Sequence, residues 1–390
     1  MSMSFHDFNF ETFLRDHWQK APLLIRNPWQ AWRNPLEPDE LAGLACEDGV
    51  EARLIMQGRK TWKVEHGPFP ESRFGKSGKT PWTLLVQAVD HHVAQVAALI
   101  KPFRFVPNWR MDDVMVSYAT DGGGVGPHFD QYDVFLIQGL GKRRWQVGAQ
   151  CDSATELLPH DDLRLLANFE VAEEWILEPG DILYVPPRVA HNGVAVGDDC
   201  MTYSIGFRSP SRSELIAHWC DHLLADMQDD DRYEDRYSGQ DFFRQDNPGE
   251  ISGVALDGLY AMIREKMLDR DAFARWFGQY TSTPKYPETD WRAEETARPE
   301  ELRGFLAGSV PLRRNPASRF SFVRRGENSV LLFVDGECFE CGRDTAALAE
   351  RICAADRVLI DPDRENSDAV MALLAKLLDQ GSVAFEPDEV

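Results

Sequence analysis

The chain has 390 residues, 43% of them hydrophobic and 27% charged, a balance that suits a folded protein of two or three domains and excludes a disordered or fibrous one. With 42 Lys+Arg against 64 Asp+Glu the formal net charge is −22, which argues against nucleic acid or an anionic membrane as the main partner, since binding either needs basic surface, and favours a cationic one. No apolar run approaches the roughly 20 residues that span a bilayer, the opening MSMSFHDFNFETFLRDHW lacks the basic start and apolar core of a signal peptide, and seven scattered cysteines read as reduced thiols, so a cytoplasmic protein without a membrane anchor is expected.

In chain order, an early helix is expected to carry Phe10, Phe13, Leu14, His17 and Trp18 on one face. Pro22 should end it, and Leu23-Leu24-Ile25 should follow as a buried strand. The run WTLLVQAVDHHVAQVAALI reads as helix-like, with His91-His92 on its surface. From Asp113 to Phe207, short apolar runs (VMVSYA, VFLIQ, RRWQV, ILYVPP, MTYSIGF) alternate with Gly and Pro. That is the pattern of an all-β barrel or sandwich. VFLIQ-GLGK-RRWQV is predicted as a hairpin, its glycines supplying the turn.

The character changes near Pro210. Ser211 or Ser213 can cap a helix containing Leu215, Ile216, Trp219, Leu223 and Leu224. An acidic loop, DDDRYEDRYSGQD, leads to a second helix with Leu256, Leu259, Tyr260, Ile263 and Met267, and a third holds Phe273, Trp276 and Phe277. So few residues cannot easily hide this much apolar surface, and a homodimer interface is expected here. Residues 281–299 are polar and Pro-rich, the composition of a linker. The last unit opens with a short helix at Leu302, Phe305 and Leu306; strands RFSFV and SVLLFV, a turn at Asp335-Gly336 and helices around Leu348–Ile352 and Met371–Leu378 complete it. Helices with a β-ribbon make a winged-helix-like unit. Because the chain is acidic and lacks a basic recognition helix, no direct nucleic-acid binding is expected, and a packing or docking role is.

The richest segment is GGGVGPHFDQYDVFLIQGLGKRRW. His128 and Asp130 are one residue apart, so on a strand both side chains leave the same face. An imidazole and a carboxylate then form two thirds of the 2-His-1-carboxylate triad that holds non-haem Fe(II) and leaves other positions open. His191 in EPGDILYVPPRVAHNG supplies a third ligand from a distant strand, the separation a double-stranded β-helix needs. Such an iron has room for dioxygen and a chelating 2-oxo-dicarboxylate, whose far carboxylate needs a cation; Arg143 has the planar fork for it. Lys142 and Arg144 must share the face opposite Arg143, but spacing alone does not say which face is inside. Ser117 can add a hydrogen bond. If Ser117 points inward, so do Asp113 and Met115 on the same strand, and Tyr132 shares the face of Asp130. An acid, a flexible apolar wall and a ring suit a guanidinium and its alkyl stem, so Asp113 is expected to pair with a target arginine, walled by Met115 and Tyr132.

GGGVGPHFDQYDVFLIQGLGKRRWQVG and EPGDILYVPPRVAHNG resemble the JmjC-type, cupin-like ribosomal oxygenases, in particular the bacterial branch that hydroxylates an arginine of large-subunit ribosomal protein sixteen. FLRDHWQKAPLLIRN and MTYSIGFRSP are similar to the two ends of that family's catalytic domain. The resemblance implies a mainly β chain with α-helices: a JmjC-type double-stranded β-helix (jelly-roll) domain over 1–208, a helical dimerisation domain over 209–281, a linker over 282–299 and a winged-helix-like domain over 300–390. It implies Fe(II) on His128, Asp130 and His191, and it settles the strand-face question by placing 2-oxoglutarate on Arg143 with Ser117 assisting. Dioxygen is the other co-substrate, the products are hydroxylated arginine, succinate and carbon dioxide, and the partner is a basic ribosomal protein. Two alternatives stay open: the same iron chemistry on histidine, asparagine or methyl-lysine of another protein, and a non-catalytic cupin used for docking. Two other signals are set aside. Cys338-x-x-Cys341 has no second ligand pair nearby, as a structural zinc site needs, and His218 and His222, one helical turn apart, lack a third ligand.

Overall fold

The computed structural model describes the chain except residues 1–4, 7, 59–60, 77–79, 229–231, 234–246, 248, 293–298 and 387–390. Most of the acidic loop and part of the linker expected from sequence therefore lie outside the described residues. The first unit runs α1 (Phe10–Asp16), β1 (Leu23–Ile25), α2 (Pro38–Leu44), β2 (Ala52–Gln57), β3 (Trp62–His66), β4 (Trp82–Val86), α3 (Ala94–Ala97), β5 (Met111–Ala119), β6 (Asp133–Gln150), β7 (Glu173–Leu177), β8 (Ile182–Val185) and β9 (Val189–Phe207). Its strands join in one sheet, ordered β1-β8-β6-β9-β5-β4-β2-β3, with β7 also on β6. This is the double-stranded β-helix expected from sequence.

Two layers of apolar side chains hold it. Phe13, Phe103, Phe135, Tyr184 and Phe207 belong to the larger cluster, which packs the N-terminal segment against the sheet. Val134, Leu136, Trp145, Val147, Leu183 and Val185 form a second cluster. In β8, Ile182 to Val185 are all buried, as a strand covered on both faces must be. Asp133 is fully buried but satisfied: it accepts from the Tyr184 hydroxyl at 2.6 Å and from Arg110 at 2.9 Å.

Three local expectations are corrected. α1 ends at Asp16, well before Pro22, and the chain turns at Gln19 with φ 57°. The segment from Trp82 to Val86 is strand β4, and only residues further on are helical, with His91 in a single 3₁₀ turn. The predicted VFLIQ-GLGK-RRWQV hairpin does not form: it is one 18-residue strand, β6, paired along its length with β9. The register shifts between Gln138 and Leu140 and again before Lys142. The glycines make bulges that bend the strand, which need the same small residues as a turn. Gly141 takes φ 59°, and a Cβ on Gly139 would meet the Tyr203 ring at 2.5 Å.

Beyond the sheet come α4 (Arg212–Ala225), α5 (Gly253–Met267) and α6 (Arg270–Ser282). Ser211 caps α4 through a reciprocal pair with Glu214. His218 and His222 pack against Tyr280 and Trp219. The C-terminal unit contains α7 (Pro299–Ala307), β10 (Leu312–Arg314), β11 (Phe320–Gly326), β12 (Ser329–Val334), β13 (Glu337–Cys341), α8 (Ala346–Ala354), β14 (Arg357–Val358), α9 (Asp368–Asp379) and β15 (Val383–Phe385). β11, β12 and β13 form an antiparallel ribbon with Asp335-Gly336 at a turn, both at positive φ. Cys338 and Cys341 lie on β13. α6 packs on this ribbon: at Gly278 an added Cβ would meet Phe333 at 2.3 Å, so only glycine allows the helix so close. Asn108 and Arg319 add contacts between the first and last units, the former to the Cys353 carbonyl at 2.7 Å and the latter to Asp112 at 2.8 Å. No helix among the described residues is long and apolar enough to cross a membrane.

Candidate metal centre and its pocket

His128, Asp130 and His191 converge. Their ligand atoms all lie within 4.8 Å of one another, the only such cluster among the described residues. His128 is not inside a long strand, as the sequence suggested. It makes a single antiparallel bridge to His191, with His128 N donating to His191 O at 3.0 Å and His191 N to His128 O at 2.8 Å. That bridge sets the two imidazoles side by side, ring centroids 4.3 Å apart. The next residue but one then brings Asp130 Oδ2 to 3.6 Å from His191 Nε2.

Ring orientation is fixed from behind. His128 Nδ1 lies 2.8 Å from the Gly126 carbonyl and His191 Nδ1 lies 2.9 Å from the Val189 carbonyl. A carbonyl only accepts, so each Nδ1 carries the proton and each Nε2 presents a lone pair toward the shared space. Burial, and then the neighbouring His128, push His191 down to about 4, so it is neutral, the form a metal needs. Two imidazoles and one carboxylate around one point fit a divalent transition metal.

Arg143 lies inside. It is 3% exposed on β6, between exposed Lys142 and partly exposed Arg144. Its Nε donates to the Cys200 sulfur at 3.4 Å, and its Nη2 is buried with no partner. A guanidinium nitrogen left unpaired in a barrel interior is costly unless an anion joins it. Ser117, buried on β5, donates weakly to the Thr202 carbonyl at 3.5 Å, and its hydroxyl retains lone pairs for another partner.

One interior residue was missed from sequence. Trp145 stands two positions after Arg143, so strand alternation puts it on the same face. Its ring is 5.7 Å from the Arg143 guanidinium and 6.0 Å from the His191 ring, and its indole N–H is buried without a partner. Gly193 makes room for it, since a Cβ there would fall 2.6 Å from the indole.

Asp113 and Tyr132 line a cavity of about 420 Å³ with Ser204, Arg208 and Lys285. Met115 sits between Asp113 and Ser117, opposite Ser204. Asp113 already holds a cation. Lys285, in the segment leaving α6, donates to Asp113 at 2.9 Å and to Asp112 at 3.2 Å. Asp113 also accepts from Gln87 Nε2 at 2.8 Å and from the Ala88 amide at 2.9 Å. Burial raises the Asp113 carboxyl against these partners. Burial also opposes the Lys285 charge, but Asp113 and Asp112 outweigh it and raise the ammonium. No pattern in the sequence linked these two residues.

The JmjC domain family matches residues 98–215 and the ROXA-like winged helix family matches residues 264–384. The chain is 37% identical over 380 residues to the ribosomal protein uL16 3-hydroxylase of Escherichia coli strain K12, covering 97% of this chain and 98% of that one. It is similar to the crystal structure of E. coli ycfD, with a TM-score of 0.87 and 35% identity over 99% of this chain and 100% of that one. A second structure of that ribosomal oxygenase, in complex with cobalt and 2-oxoglutarate, matches with a TM-score of 0.84 and 34% identity over 98% and 99% of the two chains. An identity of 37% over 97% of the chain, the JmjC and ROXA-like winged helix family matches and a converged His-Asp-His triad make this chain a member of the JmjC-domain ribosomal oxygenases.

Proposed function

We propose that this chain is an Fe(II)- and 2-oxoglutarate-dependent hydroxylase acting in the cytoplasm on an arginine of large-subunit ribosomal protein sixteen. One observation carries the reading: a buried guanidinium with an unpaired nitrogen, Arg143, shares a barrel interior with a 2-His-1-carboxylate cluster. His128, Asp130 and His191 would hold the iron through Nε2, a carboxylate oxygen and Nε2. Once bound, it would supply the oxidative chemistry that turns 2-oxoglutarate and dioxygen into succinate, carbon dioxide and a hydroxylated substrate. Arg143 would anchor the far carboxylate of 2-oxoglutarate with Ser117 beside it. Functionally, residues 1–208 would form the catalytic domain, 209–281 the dimerisation domain, 282–299 the linker and 300–390 the docking unit.

The target arginine would enter the cavity that Asp113 and Tyr132 line, with Met115, two residues along β5 from Asp113, as a further wall. There its guanidinium would take over or share the carboxylate that Lys285 now holds. A −22 chain attracts a basic ribosomal protein, and association should slow as salt rises. The test uses purified protein with Fe(II), 2-oxoglutarate and arginine-containing peptides of that ribosomal protein. A mass gain of one oxygen on arginine supports the reading; a gain on histidine or asparagine, or loss of a methyl group, contradicts it. Asp113→Ala should lower peptide hydroxylation about tenfold or more, the worth of a charged hydrogen bond, while uncoupled 2-oxoglutarate decarboxylation persists. Unchanged hydroxylation would remove Asp113 from the substrate site.

The active form would be a homodimer joined through α5. That helix buries none of its own side chains and exposes Val254, Leu256, Leu259, Tyr260 and Ile263. Such a face wants a partner. The double variant Leu259→Asp with Ile263→Asp should sediment as a monomer, and a dimer of unchanged stability would refute the interface.

A further inference from the structure

A cavity of about 730 Å³ lies between the β-helix domain and the C-terminal unit, distinct from the triad. Lys101, Arg104 and Arg208 face it from the first domain, and Arg313, Arg314 and Arg319 face it from the second. Acids on the wall offset part of this charge. Asp356 serves both Lys101 and Arg104, Glu386 serves Arg313, and Asp112 serves Arg319 while also holding Lys285. Asp90 adds little, since burial raises its carboxyl to about 8 and leaves it largely protonated at neutral pH.

Arg208 and Arg314 have main-chain carbonyls as their hydrogen-bond acceptors. Arg208 donates to Trp109 O at 3.0 Å and Thr281 O at 2.7 Å; Arg314 donates to Ile352 O at 3.5 Å and Cys353 O at 3.3 Å. The Nε of each is buried without a partner. Burial and then a neighbouring arginine (Arg319 beside Arg208, Arg104 beside Arg314) push both down to about 10. Asp112 near Arg208 and Asp356 near Arg314 push the other way without overcoming this. The basic side chains on the wall outnumber the carboxylates of Asp112, Asp356 and Glu386, so the cavity carries surplus positive charge inside a strongly acidic chain. Burying such charge without an anion is expensive.

We propose that this interdomain cavity binds a small phosphate-bearing anion, gripped by Arg208 from the oxygenase domain and Arg314 from the winged-helix-like unit. Guanidinium forks match phosphate oxygens in pairs, and the volume falls within the range of small-molecule sites, about 300–1,000 Å³. The anion would join the two domains through both arginines.

The full-length protein, in low-salt buffer free of phosphate, is titrated calorimetrically with pyrophosphate, with AMP and with citrate. Saturable binding of pyrophosphate or AMP at one site per chain is expected. Arg314→Gln should weaken it about tenfold or more. Lys101→Gln should weaken it severalfold, and Lys20→Gln, outside the cavity, should leave it unchanged. Circular dichroism checks folding. Because Arg314 also stacks on Phe320, misfolding of that variant would leave the decision to half-exposed Lys101. No saturable binding, or equal affinity in the wild type and the folded cavity variants, overturns the site. Citrate binding as tightly as pyrophosphate overturns its assignment to phosphate.

Discussion

His191→Ala is expected to abolish hydroxylation and metal binding together while leaving the β-helix folded. His191 has one backbone anchor, Nδ1 to the Val189 carbonyl, and its Nε2 points at Asp130. Nothing else in the barrel offers a third ligand atom within reach of His128 and Asp130 among the described residues. Loss of an outer partner already costs a metal site about 10–100-fold, so loss of a ligand should exceed a hundredfold. The fold should survive because the His128–His191 bridge is made by main-chain atoms. Succinate release, metal content and circular dichroism on the same sample test this. A folded variant that keeps its metal and turns over would show that these three residues are not the ligand set.

Arg143→Met should separate function from stability. With the guanidinium gone, the far carboxylate of 2-oxoglutarate would be buried without a counter-charge, a loss of about 3–5 kcal/mol, or roughly a hundredfold to several-thousandfold in affinity. The contact is made equally in the ground and transition states, so KM for 2-oxoglutarate should rise while kcat at saturation falls far less. The free protein should melt at the same or a higher temperature. Arg143 brings a buried charge and an unpaired Nη2 beside the Trp145 ring, and an apolar chain of similar length removes that cost. Steady-state kinetics and a thermal melt check both halves. A variant with unchanged KM, or one that melts well below the parent, would contradict the role given to Arg143.

The metal cluster was legible because its signal is local. The i, i+2 parity of His128 and Asp130 points to a shared face even though the pair proves to lie at a single bridge and not in a long strand, and the Pro-Pro turn before His191 marks a strand entry. The same parity reaches Trp145 from Arg143, so its place could have been read. The β6 hairpin misled because a bulge and a turn draw on the same glycines; only the partner strand β9 distinguishes them. The strand β4 inside a helix-like apolar run is a case where a buried strand and a buried helix read alike. Lys285 was out of reach: it meets Asp113 across 172 residues of sequence, carried there by α6 and its packing on the C-terminal ribbon. The basic interdomain cavity was hidden for the same reason, its walls coming from segments each unremarked in an acidic chain.

The most direct test of the iron site is optical and needs no protein substrate. Fe(II) added without oxygen to the protein, followed by 2-oxoglutarate, should give a visible charge-transfer band that saturates at one iron per chain. The band should be missing in His191→Ala and should need far more 2-oxoglutarate in Arg143→Met. A band of full strength in His191→Ala, or none in the parent protein, would contradict the placement of iron and 2-oxoglutarate in this barrel.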